Sequence, residues 1–235
     1  RALPPELAIG DGDYDEVGQV ELSALVQEGL TPSSVLLDFG CGTGRLAVHA
    51  VPFLRAGRYV GTDISETMLA RCAARLDALD RAGSDCRVDL HHQTSEDFPV
   101  DDASVDVLCA FSVFTHMDHE DAYRYLLAAT RIVRPGGVLV ASLLPLHLHD
   151  AQKVFLASAA DAADERWSKV RNVVTSTELF ETVAGLAGWT VVRWHDGASR
   201  SIRLLGTDDE LVTLGQSIVV LRAATPAAGS APATG

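Results

Sequence analysis

The sequence predicts an α/β fold: a mostly parallel sheet with helices on both faces. Three observations predict it. Short apolar runs alternate with longer stretches of helical spacing, the pattern of successive strand–helix units. One junction, Val35 to Arg45, passes from an apolar strand through three glycines at alternate positions into the start of a helix. The last two apolar runs, Trp189 to Trp194 and Ser217 to Leu221, have no helical pattern between them. They are therefore expected to pair antiparallel at the sheet edge.

Each element has its own warrant. Tyr14 to Leu30 carries Val17, Val20, Leu22, Leu25, Val26 and Leu30 at roughly helical spacing, and Thr31-Pro32 stops it. Ser34 to Phe39 is the first strand and Thr43 to Leu54 the helix behind it. Gly57 to Asp63 is the second strand. The next helix runs from Ser65 to about Asp80, with Met68, Leu69, Cys72, Ala73, Leu76 and Leu79 on one face and Ser65 as its N-cap. Cys86 to His91 is a weaker strand, and Thr94 to Asp102 a polar loop. Val105 to Phe111 is continuously apolar, as a strand buried on both faces should be. Asp118 and Asp121 suit a variant capping box for a helix that ends before Pro135-Gly136-Gly137, and Val138 to Leu144 is the fifth strand. Thr175 and Glu178 read as the capping box of a helix through Ala187.

The elements divide the chain into an N-terminal arm and helix (1–30), a core (31–144), an insertion (145–174) that contains Trp167, and the C-terminal part of the core (175–222). The Ala-, Pro-, Gly- and Ser-rich stretch 223–235 is too poor in apolar side chains to order itself.

Composition narrows the function. The chain has 235 residues, 47% of them apolar, and a formal net charge of −13. That charge repels phosphate backbones, so nucleic-acid and anionic-membrane partners are not expected. No apolar run is long enough for a membrane span and no secretory leader is evident, so a cytoplasmic protein is expected, as a monomer or homodimer. Cys41, Cys72, Cys86 and Cys109 form no Cys-x-x-Cys pair and read as reduced core thiols.

The stretch Asp38-Phe39-Gly40-Cys41-Gly42-Thr43-Gly44-Arg45 carries the strongest functional signal. Its glycines let the backbone turn sharply and let a ligand approach the main chain, and the helix behind aims its N-terminal dipole at that ligand. A dinucleotide turn spaces its third glycine three places after the second, where this chain has Arg45. Asp63, at the end of the second strand, has two oxygens to accept both hydroxyls of a ribose, but it does not by itself separate one adenosine cofactor from another.

Together with Glu96-Asp97-Phe98-Pro99, Asp102-Ala103-Ser104-Val105-Asp106, Ser112 to Met117 and Arg134-Pro135-Gly136-Gly137, this turn resembles the class I S-adenosylmethionine (SAM) dependent methyltransferases, of small-molecule bacterial type. The resemblance covers about Val35 to Arg222 and implies a Rossmann-like seven-stranded sheet with SAM as cofactor. It places Gly40, Cys41, Gly42 and Gly44 against the methionine half, and Asp38 near its cationic amino end. It gives Asp63 the ribose, and Ile64 and Met68 the adenine face, although Met68 suits helix packing equally well. Thr94 stands where the family commonly has an Asp for the adenine amino group, and Ser95 would offer its backbone N–H. Phe111, or Ala110 before it, would turn a carbonyl toward the cofactor's amino group, and Tyr14 would fold over the cofactor as a lid. The same resemblance implies a lid in 1–30, a cofactor-binding core in 31–144 and a substrate cap in 145–174.

Methyl transfer needs an acceptor held in line and, for some acceptors, a base. His116, His147 and His149 follow the fourth and fifth strands and are the candidates, with metal binding not expected. The expected reaction is transfer to a small molecule at O, N or C. The alternatives are a SAM-binding enzyme of this fold that does not transfer methyl, such as a cyclase or hydrolase, and a non-catalytic nucleotide-binding module.

Overall fold

The computed structural model describes residues 14–162, 164 and 170–224. The arm before Tyr14, Trp167 and the tail beyond Ala224 lie outside them. Five strands enter a parallel array: β1 (Val35–Phe39), β2 (Arg58–Asp63), β3 (Arg87–His92), β4 (Val105–Ala110) and β5 (Val133–Leu143). Helices α1 (Tyr14–Gln27), α2 (Ala47–Phe53), α3 (Glu66–Asp77) and α4 (His119–Ile132) accompany them. After β5 come α5 (His149–Ala160), α6 (Thr177–Leu186), β6 (Trp189–His195), the short pair β7 (Ile202–Arg203) and β8 (Leu211–Val212), and β9 (Ser217–Ala223).

The sheet order is β3-β2-β1-β4-β5-β9-β6. β9 runs antiparallel to both β5 and β6, so the expected reversal is present. β9 and β6 form the antiparallel pair expected at the sheet edge, with β9 the inner strand of the two and β6 the outermost. All five residues Ser217 to Leu221 are buried, which an edge strand would not allow, whereas β6 leaves several positions exposed.

Successive residues of each strand feed two cores. Leu36, Val107, Val140 and Val220 pack with α1, α2 and α3. Their neighbours Leu37, Leu108, Leu139 and Val219 pack with Phe180 of α6 and Leu126 of α4. That alternation is the period of two expected of a sheet covered on both faces. α3 buries Leu69, Cys72 and Leu76, and Ser65 caps it by accepting the Met68 N–H at 3.4 Å.

Several boundaries shift for local reasons. α1 stops at Gln27 because Gly29 adopts φ +107°. α2 starts at Ala47, since residues 43–46 remain in the turn. α4 ends at Ile132, and the strand after it begins at Val133, ahead of Arg134-Pro135, where the proline disfavours helix. Ser176, not Thr175, caps α6, accepting the Leu179 N–H at 3.1 Å. Asp118 makes no cap bond; its carboxylate takes Arg171 at 2.9 and 3.1 Å. The β7–β8 pair, too short to read as strands, lies on α1. There Gln27 bonds the Ser201 carbonyl and the Arg203 N–H, both at 3.0 Å, and Leu205 N–H donates to Ser23 Oγ at 3.1 Å. Among the described residues no helix is long and apolar enough to cross a membrane.

Candidate functional site

Strand order reverses between β1 and β4, and in open α/β sheets ligands bind at the carboxyl ends of strands at such a point. A cleft open to solvent lies there. One wall is the β1 end and its turn, with Asp38, Gly40, Gly42 and Thr43; the facing wall is the segment after β4, with Phe111, Ser112 and His116; Glu21 of α1 and Arg45 complete it.

The turn is held by main-chain bonds. Gly40 and Cys41 both donate to the Thr62 carbonyl, at 2.8 and 2.9 Å. The glycines serve different needs. A Cβ on Gly40 would stand 2.5 Å from Val113 Cγ2, and one on Gly44 would stand 2.9 Å from Cys72 Sγ. A Cβ on Gly42 would meet no atom within 4 Å; it would project into the open space a ligand would occupy. All four cysteines are free and buried.

Asp63 organises the second half of the site. Its Oδ2 accepts the Gly42 N–H at 2.9 Å and its Oδ1 the Ser65 N–H at 2.8 Å. One carboxylate therefore fixes both the glycine turn and the start of α3, with lone pairs still available on each oxygen. Ile64 beside it is 75% exposed, an apolar side chain held in the open, and Met68 is half-buried. Thr94 and Ser95 are exposed on the loop after β3. Buried Gln93, which the sequence did not mark, donates to the Ser95 carbonyl at 3.0 Å and so shapes that loop.

The cleft is acidic at its base. Asp38 is 3% exposed and accepts the Tyr59 hydroxyl at 2.6 Å and the Cys109 thiol at 3.5 Å. Burial pushes its carboxyl up to about 6. Glu21 is 1% exposed, and burial lifts it to about 7 against the opposing pull of Arg45. Glu21 escaped the sequence reading because helical periodicity ranks it as a polar position; the signal available was a charge between Val20 and Leu22 on the apolar face.

Of the three histidines, the structure brings only His116 to the cleft. Its Nδ1 lies 3.0 Å from the Arg171 carbonyl. A carbonyl only accepts, so Nδ1 carries the proton and Nε2 of the neutral ring is left as the acceptor. His147 and His149 line no part of this cleft. The Pro145–Thr175 bridge turns the chain away after β5, His147 pairs with Asp196 at 2.9 Å, and His149 opens α5 on the surface. Asp150 pairs with Lys153 at 2.8 Å, and the described residues contain no cluster of His, Cys, Asp or Glu suited to a metal. Tyr14 is also outside the cleft wall. Its hydroxyl bonds Oγ1 of the wall residue Thr43 at 2.6 Å, with the Arg75 guanidinium 4.1 Å from its ring centre.

Phe111 follows the last residue of β4 and is buried at the cleft. Ser112 beside it takes φ +58°, uncommon for a residue with a Cβ. Ser142 Oγ holds that conformation, accepting the Ser112 N–H at 2.7 Å while donating to Gln216 Oε1 at 2.6 Å. Such backbone strain persists where the surroundings over-determine it, often at a working site.

Residues 36–137, which contain the turn, Asp63 and the post-β4 wall, match the methyltransferase domain family. Residues 36–137 form a methyltransferase domain. A malonyl-[acyl-carrier protein] O-methyltransferase of Dechloromonas aromatica is 30% identical over 181 residues, covering 74% of this chain and 61% of that protein. A ubiquinone biosynthesis O-methyltransferase of Roseobacter denitrificans is 33% identical over 110 residues, covering 46% of this chain and 40% of that protein. The chain thus spans less than two thirds of each relative's length. Magnesium protoporphyrin IX methyltransferase from Synechocystis PCC 6803, solved with bound S-adenosylhomocysteine (SAH), shares the fold. Its TM-score is 0.60 at 19% identity, over 90% of each chain being matched (94% and 92%). The cofactor of the methyltransferase domain is SAM. The residues present suit it: an open glycine face, a carboxylate beside an exposed apolar side chain, and buried acids for a ligand that carries a sulfonium and an ammonium.

Proposed function

We propose that this protein transfers a methyl group from SAM to a small-molecule acceptor, at O, N or C. The observation that carries the reading is the open face of Gly42 set directly against Asp63, with exposed Ile64 alongside. Asp63 would take the ribose hydroxyls, Ile64 and the Thr94–Ser95 loop the adenine, and Asp38 the ammonium. Bound SAM supplies a methyl group already activated on sulfonium sulfur. The chain's own tasks are then to orient the acceptor, exclude water and receive a proton. His116 Nε2 is suited to the last task, because the Arg171 carbonyl fixes the tautomer.

The segment 145–174 would close the acceptor side. It is tied to the cleft wall: Val173 N–H donates to the Thr115 carbonyl at 2.7 Å, next to His116. The net charge of −13 and the two O-methyltransferase relatives support a small acceptor over a nucleic acid.

The test is turnover. The protein is incubated with SAM and a panel of small phenols, carboxylic acids and amines, and SAH is measured. Acceptor-dependent SAH is expected, and His116→Ala should lower kcat by about 100-fold or more while SAH affinity holds. SAM bound but never consumed would overturn methyl transfer. Binding of NAD in place of SAM would overturn the cofactor assignment as well.

A further inference from the structure

Ser112 lines the cleft in a left-handed conformation, and the side chains that hold it there also set the direction of its hydroxyl. Ser142 is fully buried. Its Oγ accepts the Ser112 N–H at 2.7 Å, so its own proton goes to Gln216 Oε1 at 2.6 Å. That bond decides which end of the Gln216 amide is oxygen. The other end, Nε2, lies 3.1 Å from Ser112 Oγ and only donates. Ser112 Oγ also stands 3.3 Å from Gln216 Oε1. That is long for a hydroxyl donor, and one hydroxyl cannot align with both ends of the same amide. Ser112 Oγ is therefore an acceptor toward Gln216, and its proton is left for the cleft. Gln216 stands 104 positions further along the chain, so the arrangement is tertiary and serves no local turn.

We infer that Ser112 selects the acceptor. Its hydroxyl donates to a second oxygen that flanks the oxygen to be methylated, and Gln216 is the positioning residue that keeps the donor in that sense. This rests on the methyl-transfer reading above and deepens it, naming as substrate class a hydroxyl with a neighbouring oxygen, such as an ortho-diphenol. The wall after β4 supplies complementary groups: a donor at Ser112 and, further along the same segment, an acceptor at His116 Nε2. The reacting hydroxyl gives its proton to Nε2 while its oxygen forms the bond to the methyl carbon, and the carbon–sulfur bond breaks with its electron pair left on sulfur. The flanking oxygen accepts from Ser112. An acceptor without that neighbour leaves the Ser112 proton unpaired in a site closed to water, the condition under which a polar group discriminates strongly. A neutral acceptor is favoured over a carboxylate, because Asp38 and Glu21 line the same cleft.

The probes are catechol, which has the paired oxygens, and phenol, which has one. Both are titrated calorimetrically into SAH-saturated wild type, Ser112→Gly and Gln216→Glu. Ser112→Gly removes the hydroxyl at φ +58°, which glycine adopts freely, so the fold is kept. Gln216→Glu keeps the contact but reverses it: both oxygens accept, and the Ser112 proton turns away from the cleft. Wild type should bind catechol about tenfold tighter than phenol. Each variant should bring that ratio within about twofold by weakening catechol alone, with SAH affinity within twofold of wild type. A wild-type ratio near one, or no binding of either probe to the SAH complex, overturns the assignment. So does a ratio that survives Ser112→Gly, and a ratio that survives Gln216→Glu overturns the positioning role. If Gln216→Glu does not fold, Gln216→Leu takes its place, and an unchanged ratio again overturns that role. SAH weakened together with catechol overturns the acceptor contact in favour of a cofactor wall. Wild type that binds no SAH would sink the SAM reading itself, and this inference with it.

Discussion

Replacing Asp63 by Asn is nearly isosteric and tests the centre of the site. The carboxylate now accepts Gly42 N–H at 2.9 Å and Ser65 N–H at 2.8 Å, one on each oxygen. An amide keeps one oxygen; its NH₂ must face one of those two N–H groups, donor against donor. One backbone bond is lost, and the turn or the α3 start must shift. Because Asp63 is only half-buried, water offsets part of the loss, and a stability cost of about 1–2 kcal/mol is expected. For a chain of this length that is a fall in Tm of roughly 2–8 °C. Binding loses more. If Asp63 takes the ribose as proposed, one of its two acceptors goes, worth about 1.5–3 kcal/mol when the acceptor is charged, and Gly42 moves with it. The SAH dissociation constant should rise roughly 10- to 100-fold, and 5′-methylthioadenosine should weaken by a similar factor because it keeps the ribose. Calorimetry and a thermal melt measure both terms. An SAH constant within twofold of wild type would refute the ribose assignment, and an unchanged Tm would refute the claim that Asp63 holds the turn.

Asp38 predicts a pH dependence. Burial raises its carboxyl from an ordinary 3.8 to about 6, so the carboxylate takes up a proton as pH falls through 6 and could no longer hold the ammonium proposed for it. SAH affinity should therefore drop by up to about tenfold per unit below pH 6, and Asp38→Asn should lose that component; a wild-type profile flat from pH 5 to 8 would refute the role. Stability runs the other way. The folded group keeps its proton to a higher pH than the unfolded chain, so its contribution is full below 3.8 and lost as pH rises through 6, which melts of wild type against Asp38→Asn will read. Gly42→Ala, at φ +54° with open space around the added Cβ, should cost about 1–2 kcal/mol in stability but abolish most SAH binding; retained affinity would show that the cofactor does not approach there. Ile64→Ser should leave Tm unchanged within about a degree because the side chain is exposed, yet weaken SAH roughly fivefold through lost apolar burial.

The sequence alone determined the strand–helix alternation, the glycine turn and Asp63 at the end of β2, because these rest on local chemistry. Periodicity, capping and positive φ are properties of a few neighbouring residues, and a strand-end position in such a sheet is a position at the cleft. It could not decide what depends on which distant residues meet. β9 enters the sheet interior because its apolar face is needed on both sides, a fact of packing and not of the run Ser217 to Leu221 itself. His116, His147 and His149 look alike in sequence. Only the turn of the chain at Pro145 and the pairing of His147 with Asp196 separate one cleft histidine from two outside it. Glu21 and Arg45 stand 24 positions apart, and neither shows its partner locally. Their burial as a pair, and with it the charge of the cofactor cleft, was settled only when α1 closed over the turn through Gly18.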